Sequence, residues 1–196
     1  MKRRQLLQSA VAAGLFGPAA LLAAPEKRLP ATPRDYAGPY YPAGARNRTN
    51  DLIIGQPRSD VLDLQGNVLD ELGAPRVGVL VDIWQADPEG RYKHPRDASP
   101  GKRWEEFLYW GEAVTDSDGR FRFRTYVPGE YAARPAEHIH YKVWSSRRLL
   151  LTSQIYFEEL GGPQGLAQSD SAASLQTVSL HRVDDTGLQA NVSIVV

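Results

Sequence analysis

The 196-residue chain contains no cysteine. That single absence removes disulfides, Fe–S clusters, zinc–thiolate sites and cysteine nucleophiles. Any metal must be held by His, Asp, Glu or Tyr, and histidine is scarce: His94, His138, His140 and His181 are the whole supply. An excess of either charge is also lacking, with 23 Lys and Arg against 23 Asp and Glu. Without a basic run, recruitment to nucleic acid or to an anionic membrane surface is not expected. Beyond Ala24 no apolar run approaches the ~20 residues needed to span a bilayer. There is no internal repeat, and the length suits one domain with its own core.

What is present begins with a leader. Met1-Lys2-Arg3-Arg4-Gln5-Leu6-Leu7 opens on charge and runs into Ala, Leu, Val, Gly and Phe as far as Ala24. A charged head, an apolar middle and small residues at the end are the pattern of an export signal. The Arg3-Arg4 pair resembles the twin-arginine signal, a route that suits proteins folded around a cofactor before export. Gly14, Gly17 and Pro18 break the apolar stretch, which argues against a membrane anchor. Residues 1–24 are therefore expected to be an export signal, and the mature protein to be periplasmic or secreted and free of the membrane. Residues 25–60, rich in Pro, Arg, Asn and Gly at their start, read as an extended arm. Within them Gly38-Pro39-Tyr40-Tyr41-Pro42 forms an apolar knot expected to dock against the body.

From residue 61 the texture changes to short β-prone runs divided by turn signals. Strands are predicted over Val61–Leu69, Val77–Gln85, Phe107–Val114, Arg120–Tyr126, His138–Ser145, Leu149–Phe157, Ser174–Arg182 and Leu188–Val196. Asp116-Ser117-Asp118-Gly119 reads as a hairpin turn into Arg120–Tyr126, where Phe121 and Phe123 alternate with arginines. A short helix fits around Phe157–Ser169. The predicted fold over residues 61–196 is all-β, a β-sandwich of about eight strands with a loop-borne metal site.

His138-Ile139-His140 carries the strongest chemical signal. On a strand, side chains alternate, so both imidazoles leave one face and Ile139 the other. No carboxylate stands at a fixed spacing from them, and Glu137 points away. The remaining oxygen donors are phenols: Tyr92 in Gly90-Arg91-Tyr92, and Tyr131 after Pro128-Gly129-Glu130. Each residue alone has a bland reading, as a packing or loop tyrosine or a structural histidine pair. Taken together, two phenols and two imidazoles point to ferric iron. A phenol ionises near pH 10 when unperturbed, and only a hard, highly charged cation lowers that far enough.

The ordering of motifs resembles the intradiol ring-cleavage dioxygenases, especially the protocatechuate 3,4-dioxygenase subunits. The series starts at Gly38-Pro39-Tyr40-Tyr41-Pro42 and continues through Leu64-Gln65-Gly66-Asn67, Val81-Asp82-Ile83-Trp84-Gln85-Ala86-Asp87 and Gly90-Arg91-Tyr92. It then passes Asp116-Ser117-Asp118-Gly119, Pro128-Gly129-Glu130-Tyr131 and Arg134-Pro135-Ala136-Glu137-His138-Ile139-His140, ending at Gln154-Ile155-Tyr156-Phe157. The resemblance implies a non-haem Fe(III) held by Tyr92, Tyr131, His138 and His140, with Tyr131 released when substrate binds. It implies a catecholic substrate and dioxygen as partners, with Arg134 over the substrate ring and Tyr40 and Gln154 at the pocket wall. It implies ring cleavage to a muconate-type diacid, and assembly into a homo-oligomer. Arg134 stands four residues before His138 where the family usually has three, Glu137 being the extra residue. Two other readings account for the same strands: a non-catalytic exported module of the transthyretin-like kind, and an iron-binding protein without turnover.

Overall fold

A computed structural model of the chain describes residues 27–42, 47–131, 136–185 and 187–196. The expected export signal over 1–24 and Arg134 lie outside the described residues. Among the described residues there are nine strands: β1 Val61–Leu69, β2 Leu80–Trp84, β3 Trp110–Val114, β4 Arg120–Tyr126, β5 His138–Ser145, β6 Arg148–Phe157, β7 Thr177–Val178, β8 His181–Arg182 and β9 Gly187–Val195. They form two sheets, ordered β4-β1-β9-β8 and β3-β2-β5-β6-β7. The all-β sandwich expected from the sequence is what the chain forms.

Alternation decides which side chains meet between the sheets. Leu62, Leu64, Phe121, Phe123, Val192 and Ile194 from the first sheet face Val81, Ile83, Ile139, Val143, Leu151 and Ile155 from the second, all buried. Each such side chain contributes roughly 1.5–3 kcal/mol by leaving water. β1 lies in the middle of its sheet, antiparallel to β4 and parallel to β9 along its whole length.

Several boundaries differ from expectation, each for a local reason. β2 begins at Leu80, because Gly78 takes a φ of +68° and hands its N–H to Thr115 O. β3 begins at Trp110, because Tyr109 sits at φ +65° and breaks the run from Phe107. The Asp116–Gly119 turn is tight, with Asp116 Oδ1 accepting from Asp118 and Arg120 N–H, yet it is not a hairpin. Its two flanking strands pair elsewhere, β3 with β2 and β4 with β1, so the turn crosses from one sheet to the other. The stretch expected as a strand over Ser174–Arg182 starts within a helix, α1 Asp170–Gln176, and continues as β7 and β8 in different sheets. Ser169 Oγ caps α1 by accepting from Ala172 N–H, a preference for helix over strand that the Ser-Asp-Ser run carries. The helix expected near Phe157–Ser169 is only a 3₁₀ turn over Glu158–Leu160, ended by Gly161 at φ +89°.

Residues 27–42 form no strand of their own. They run along the open edge of β6, where Asp35 N–H donates to Thr152 O (2.9 Å) and Ser153 Oγ donates to Pro33 O (2.7 Å). An edge covered in this way cannot pair with a second chain. The arm then turns onto the outer face of β2 and β5, where Tyr41 Oη donates to Asp82 Oδ2 (3.0 Å) and Lys142 Nζ lies 3.2 Å from the Tyr41 ring centroid. At its other end the arm is stitched to the last strand: Thr32 N–H donates to Val195 O, and Val195 N–H donates to Thr32 Oγ1.

Candidate metal centre

β5 is the central strand of its five-stranded sheet, paired with β2 on one side and β6 on the other. Ile139 points into the sandwich core, and His138 and His140 leave the opposite face. Opposite His140 in the ladder stand Trp84 on β2 and Gln154 on β6, and opposite His138 stands Tyr156. The His140 ring lies flat on Trp84, with centroids 4.9 Å apart and planes within 4°. Its other side is approached by Gly38 of the arm, where even a Cβ would come within 3.2 Å of His140 Cε1 and Nε2. Only glycine, at φ +65°, brings the arm backbone this close.

His138 Nδ1 lies 2.6 Å from Ala136 O. A carbonyl can only accept, so Nδ1 carries the proton; in the neutral ring Nε2 then keeps its lone pair, the arrangement a metal-binding imidazole needs. That Nε2 stands 3.1 Å from Nε2 of His140. Imidazole nitrogens bound at about 2.1 Å to one cation, with bonds near a right angle, stand roughly this far apart.

Two loops deliver the phenols. The first is the Asp87-Pro88-Glu89-Gly90-Arg91 turn before Tyr92, and the second is Pro128-Gly129-Glu130 before Tyr131. The Tyr92 and Tyr131 rings meet edge to face at 5.4 Å, and Tyr131 lies 5.7 Å from the His138 ring. All four side chains are buried: Tyr92 3%, Tyr131 7%, His138 2% and His140 1% exposed. Among the described residues no three His, Cys, Asp or Glu side chains converge anywhere. The anionic oxygen available beside the histidine pair is therefore phenolic. Two phenols with two neutral imidazoles form a donor set that fits a hard trivalent cation such as Fe(III).

The other expected residues are placed as follows. Tyr40 is half-buried at the margin, 4.6 Å from the Tyr92 ring and 5.7 Å from that of Tyr131. Burial, and then the nearby Asp97 carboxylate, push its phenol above the ordinary value. Asp97 itself is held low: burial would raise it, but hydrogen bonds from Ser99 and from the Tyr92 N–H, with the Arg103 charge, outweigh that. Gln154 is wholly buried, donating to Tyr36 O (3.0 Å) and accepting from Tyr156 Oη (2.9 Å), so its amide fastens the arm to the sheet.

Three contributors escaped sequence reading. The Ala136 carbonyl and the Trp84 stack have no sequence signal beyond proximity to the histidines. Asp87 did have one, since Asp-Pro-Glu-Gly marks a turn. What the turn pattern does not reveal is that the Asp87 carboxylate is fully buried at its centre.

Comparison with known proteins finds dioxygenases among those this chain is similar to. A family model described as dioxygenase matches residues 36–170. The protocatechuate 3,4-dioxygenase beta chain of Burkholderia cepacia is 38% identical over 119 residues, covering 55% of this chain and 49% of its own. The catechol 1,2-dioxygenase of Acinetobacter baylyi is 32% identical over 146 residues, covering 64% of this chain and 46% of its own. The chain thus spans about half the length of the curated relatives it matches. Among solved structures, the dioxygenase domain of a dioxygenase–carbohydrate-binding fusion from Streptomyces sp. SirexAA-E superposes with a TM-score of 0.68 at 29% identity. That match covers 85% of this chain and 98% of the domain.

Proposed function

The chain belongs to the intradiol ring-cleavage dioxygenase family, and from that footing we propose that it opens a catechol-type ring with dioxygen at a non-haem Fe(III) held by Tyr92, Tyr131, His138 and His140. The product is a muconate-type diacid. The observation that carries this reading is a pair of imidazole Nε2 atoms 3.1 Å apart with the buried Tyr131 ring packed against His138 and the buried Tyr92 ring packed edge to face on Tyr131.

Bound Fe(III) would supply Lewis acidity, stabilising ionised phenol and catechol oxygens and drawing electron density out of the substrate ring. The protein does the rest. Ala136 O and Trp84 fix the two imidazoles, so no reorganisation is needed at the moment of reaction. Tyr92 stays in place on its turn. Tyr131 would be the donor that makes way for substrate, its phenolate Oη accepting one catechol proton. Tyr40 packs against both tyrosines and shields the incoming ring from water. Arg134 supplies a cation for the carbanion character that develops in the ring.

The experiment is oxygen-electrode screening of iron-loaded protein against catechol, protocatechuate, hydroxyquinol and larger catecholic fragments. Oxygen uptake matched one-to-one by a ring-opened diacid supports the proposal. Iron-loaded, coloured protein that consumes no oxygen with any catechol leaves an iron-binding protein without turnover. We also propose that residues 1–24 direct export by a twin-arginine-like route. Cell fractionation tests this: the protein should reach the periplasm or medium, and Arg3→Lys with Arg4→Lys should retain it inside.

A further inference from the structure

Asp87 is a wholly buried carboxylate that the chemistry above does not use. Its bonds run in three directions. Oδ1 accepts from the N–H groups of Glu89 and Arg91, both at 3.0 Å, and so closes the turn that ends at Tyr92. Oδ2 accepts from Tyr109 Oη at 2.8 Å, and the N–H of Trp104 reaches it at 3.4 Å. The Arg91 guanidinium, itself buried, lies beside Oδ2 with Nε at 3.6 Å and pairs with Glu89 at its other end. The third direction is the backbone. Asp87 O accepts from Gly90 N–H (2.9 Å) inside its own turn and from Gly129 N–H (3.0 Å) in the loop that carries Tyr131.

The two loops also touch directly. A Cβ on Gly90, which sits at φ +78°, would lie 1.8 Å from Glu130 O, and one on Gly129 would lie 2.4 Å from Pro88 O. Backbone therefore meets backbone at both glycines, each two residues before a phenol-bearing position. Tyr109 anchors the whole assembly to the sandwich core, in which its ring is buried.

We propose that Asp87 is a positioning residue that binds the Tyr92 loop and the Tyr131 loop into one rigid unit and so sets the spacing of the two phenols. This deepens the reading of the site given above and rests on it for the use to which the phenols are put. The locking itself is a property of the metal-free protein. A neutral amide at this position can keep its one accepting oxygen on the turn, but it then turns N–H donors toward the Tyr109 hydroxyl, the Trp104 N–H and the Arg91 guanidinium. The bond accepted from Tyr109 Oη and the ion pair with Arg91 are then lost.

The test is amide hydrogen exchange on metal-free wild type, Asp87→Asn and Tyr109→Phe. Hydrogen bonds to a buried charge are among the stronger ones, so exchange across 88–92 and 129–131 should quicken about tenfold or more in Asp87→Asn, with β9 unchanged. Tyr109→Phe, which keeps the ring and removes one donor, should quicken the same two segments to a smaller extent. The proposal is overturned if only 88–92 loosens, because Asp87 then shapes its own turn alone. It is equally overturned if all segments, β9 included, quicken together, because the effect is then general destabilisation. Should Asp87→Asn not fold, the Tyr109→Phe pattern decides between the same outcomes. Iron-loaded samples add a second readout: the tyrosinate absorption band should move in both variants. A colourless wild type would refute the iron reading while leaving the exchange result to judge Asp87.

Discussion

His138 and His140 bring their Nε2 atoms to 3.1 Å from each other, one ring oriented by the Ala136 carbonyl and the other held flat on Trp84. Two imidazoles at that distance share either a proton or a cation.

Replacing His138 with Ala should abolish iron retention and colour together. The loss should exceed the ~10–100-fold that removal of an outer hydrogen-bond partner causes. Iron per chain after gel filtration, read by plasma emission spectrometry, checks this. Near-stoichiometric iron in the variant would remove His138 from the donor set.

Tyr131→Phe should keep iron, since Tyr92 and both histidines remain, while shifting the visible band and altering catechol binding. Titration of the iron-loaded variant with a catechol, followed in the visible range, measures both. Binding and turnover equal to wild type would end the idea that Tyr131 makes way for substrate.

Gly90→Ala should be among the most damaging single-methyl changes in the chain. The new Cβ would collide with Glu130 O, at 1.8 Å, and would also have to adopt φ +78°. The backbone conformation alone costs about 1–3 kcal/mol, and relief of the clash requires the two loops to part. Urea unfolding should show a loss of at least ~2 kcal/mol. Gly55→Ala, also at positive φ but with nothing near, should lose only the conformational part.

Asp82 gives a pH prediction. Burial pushes its carboxyl above the ordinary value, and the hydrogen bonds from Tyr41 and Trp144 and the Lys142 charge offset this only in part, with Glu112 adding to the rise. The folded state then holds its proton more tightly than the unfolded chain does. Its contribution to stability is complete below the unfolded value, near 3.8, and declines as pH rises through the folded value. Asp82→Asn should remove that decline. Compared with wild type, the variant should therefore gain relative stability as pH is raised from about 4 toward neutrality, as urea midpoints at several pH values would show.

Much of the fold was legible where one physical rule governed a segment. Phe121 and Phe123 alternate with arginines, and β4 covers that alternation and two further residues, Thr125 and Tyr126. The same holds for β5, whose spacing put His138 and His140 on one face. Segments governed by long-range partners were less legible. Ser174–Arg182 has strand-like composition, but Ser169 capping and the burial of Gln176 against Asp35 and Ser153 commit its start to a helix. The Asp116–Gly119 turn has hairpin chemistry, and only the pairing of β3 and β4 with different partners makes it a crossing between sheets. At the site, the proposed donor residues stood out by type. Their supports did not, because a backbone carbonyl at Ala136 and a buried charge at Asp87 leave no periodic trace. Gln154, expected at the pocket wall, stands opposite His140 in the ladder, and its amide also donates to Tyr36 O of the arm, a contact with no sequence signal.

The stitching of Thr32 to Val195 has a consequence for the order of folding. β1 is held by β9 along its full length, and the arm that brings Gly38 against His140 is pinned to that same strand. Pairings between segments this far apart in sequence close a long loop and are slow to form. The histidine-bearing face is therefore complete only once β9 has docked on β1 and the arm has docked on β9.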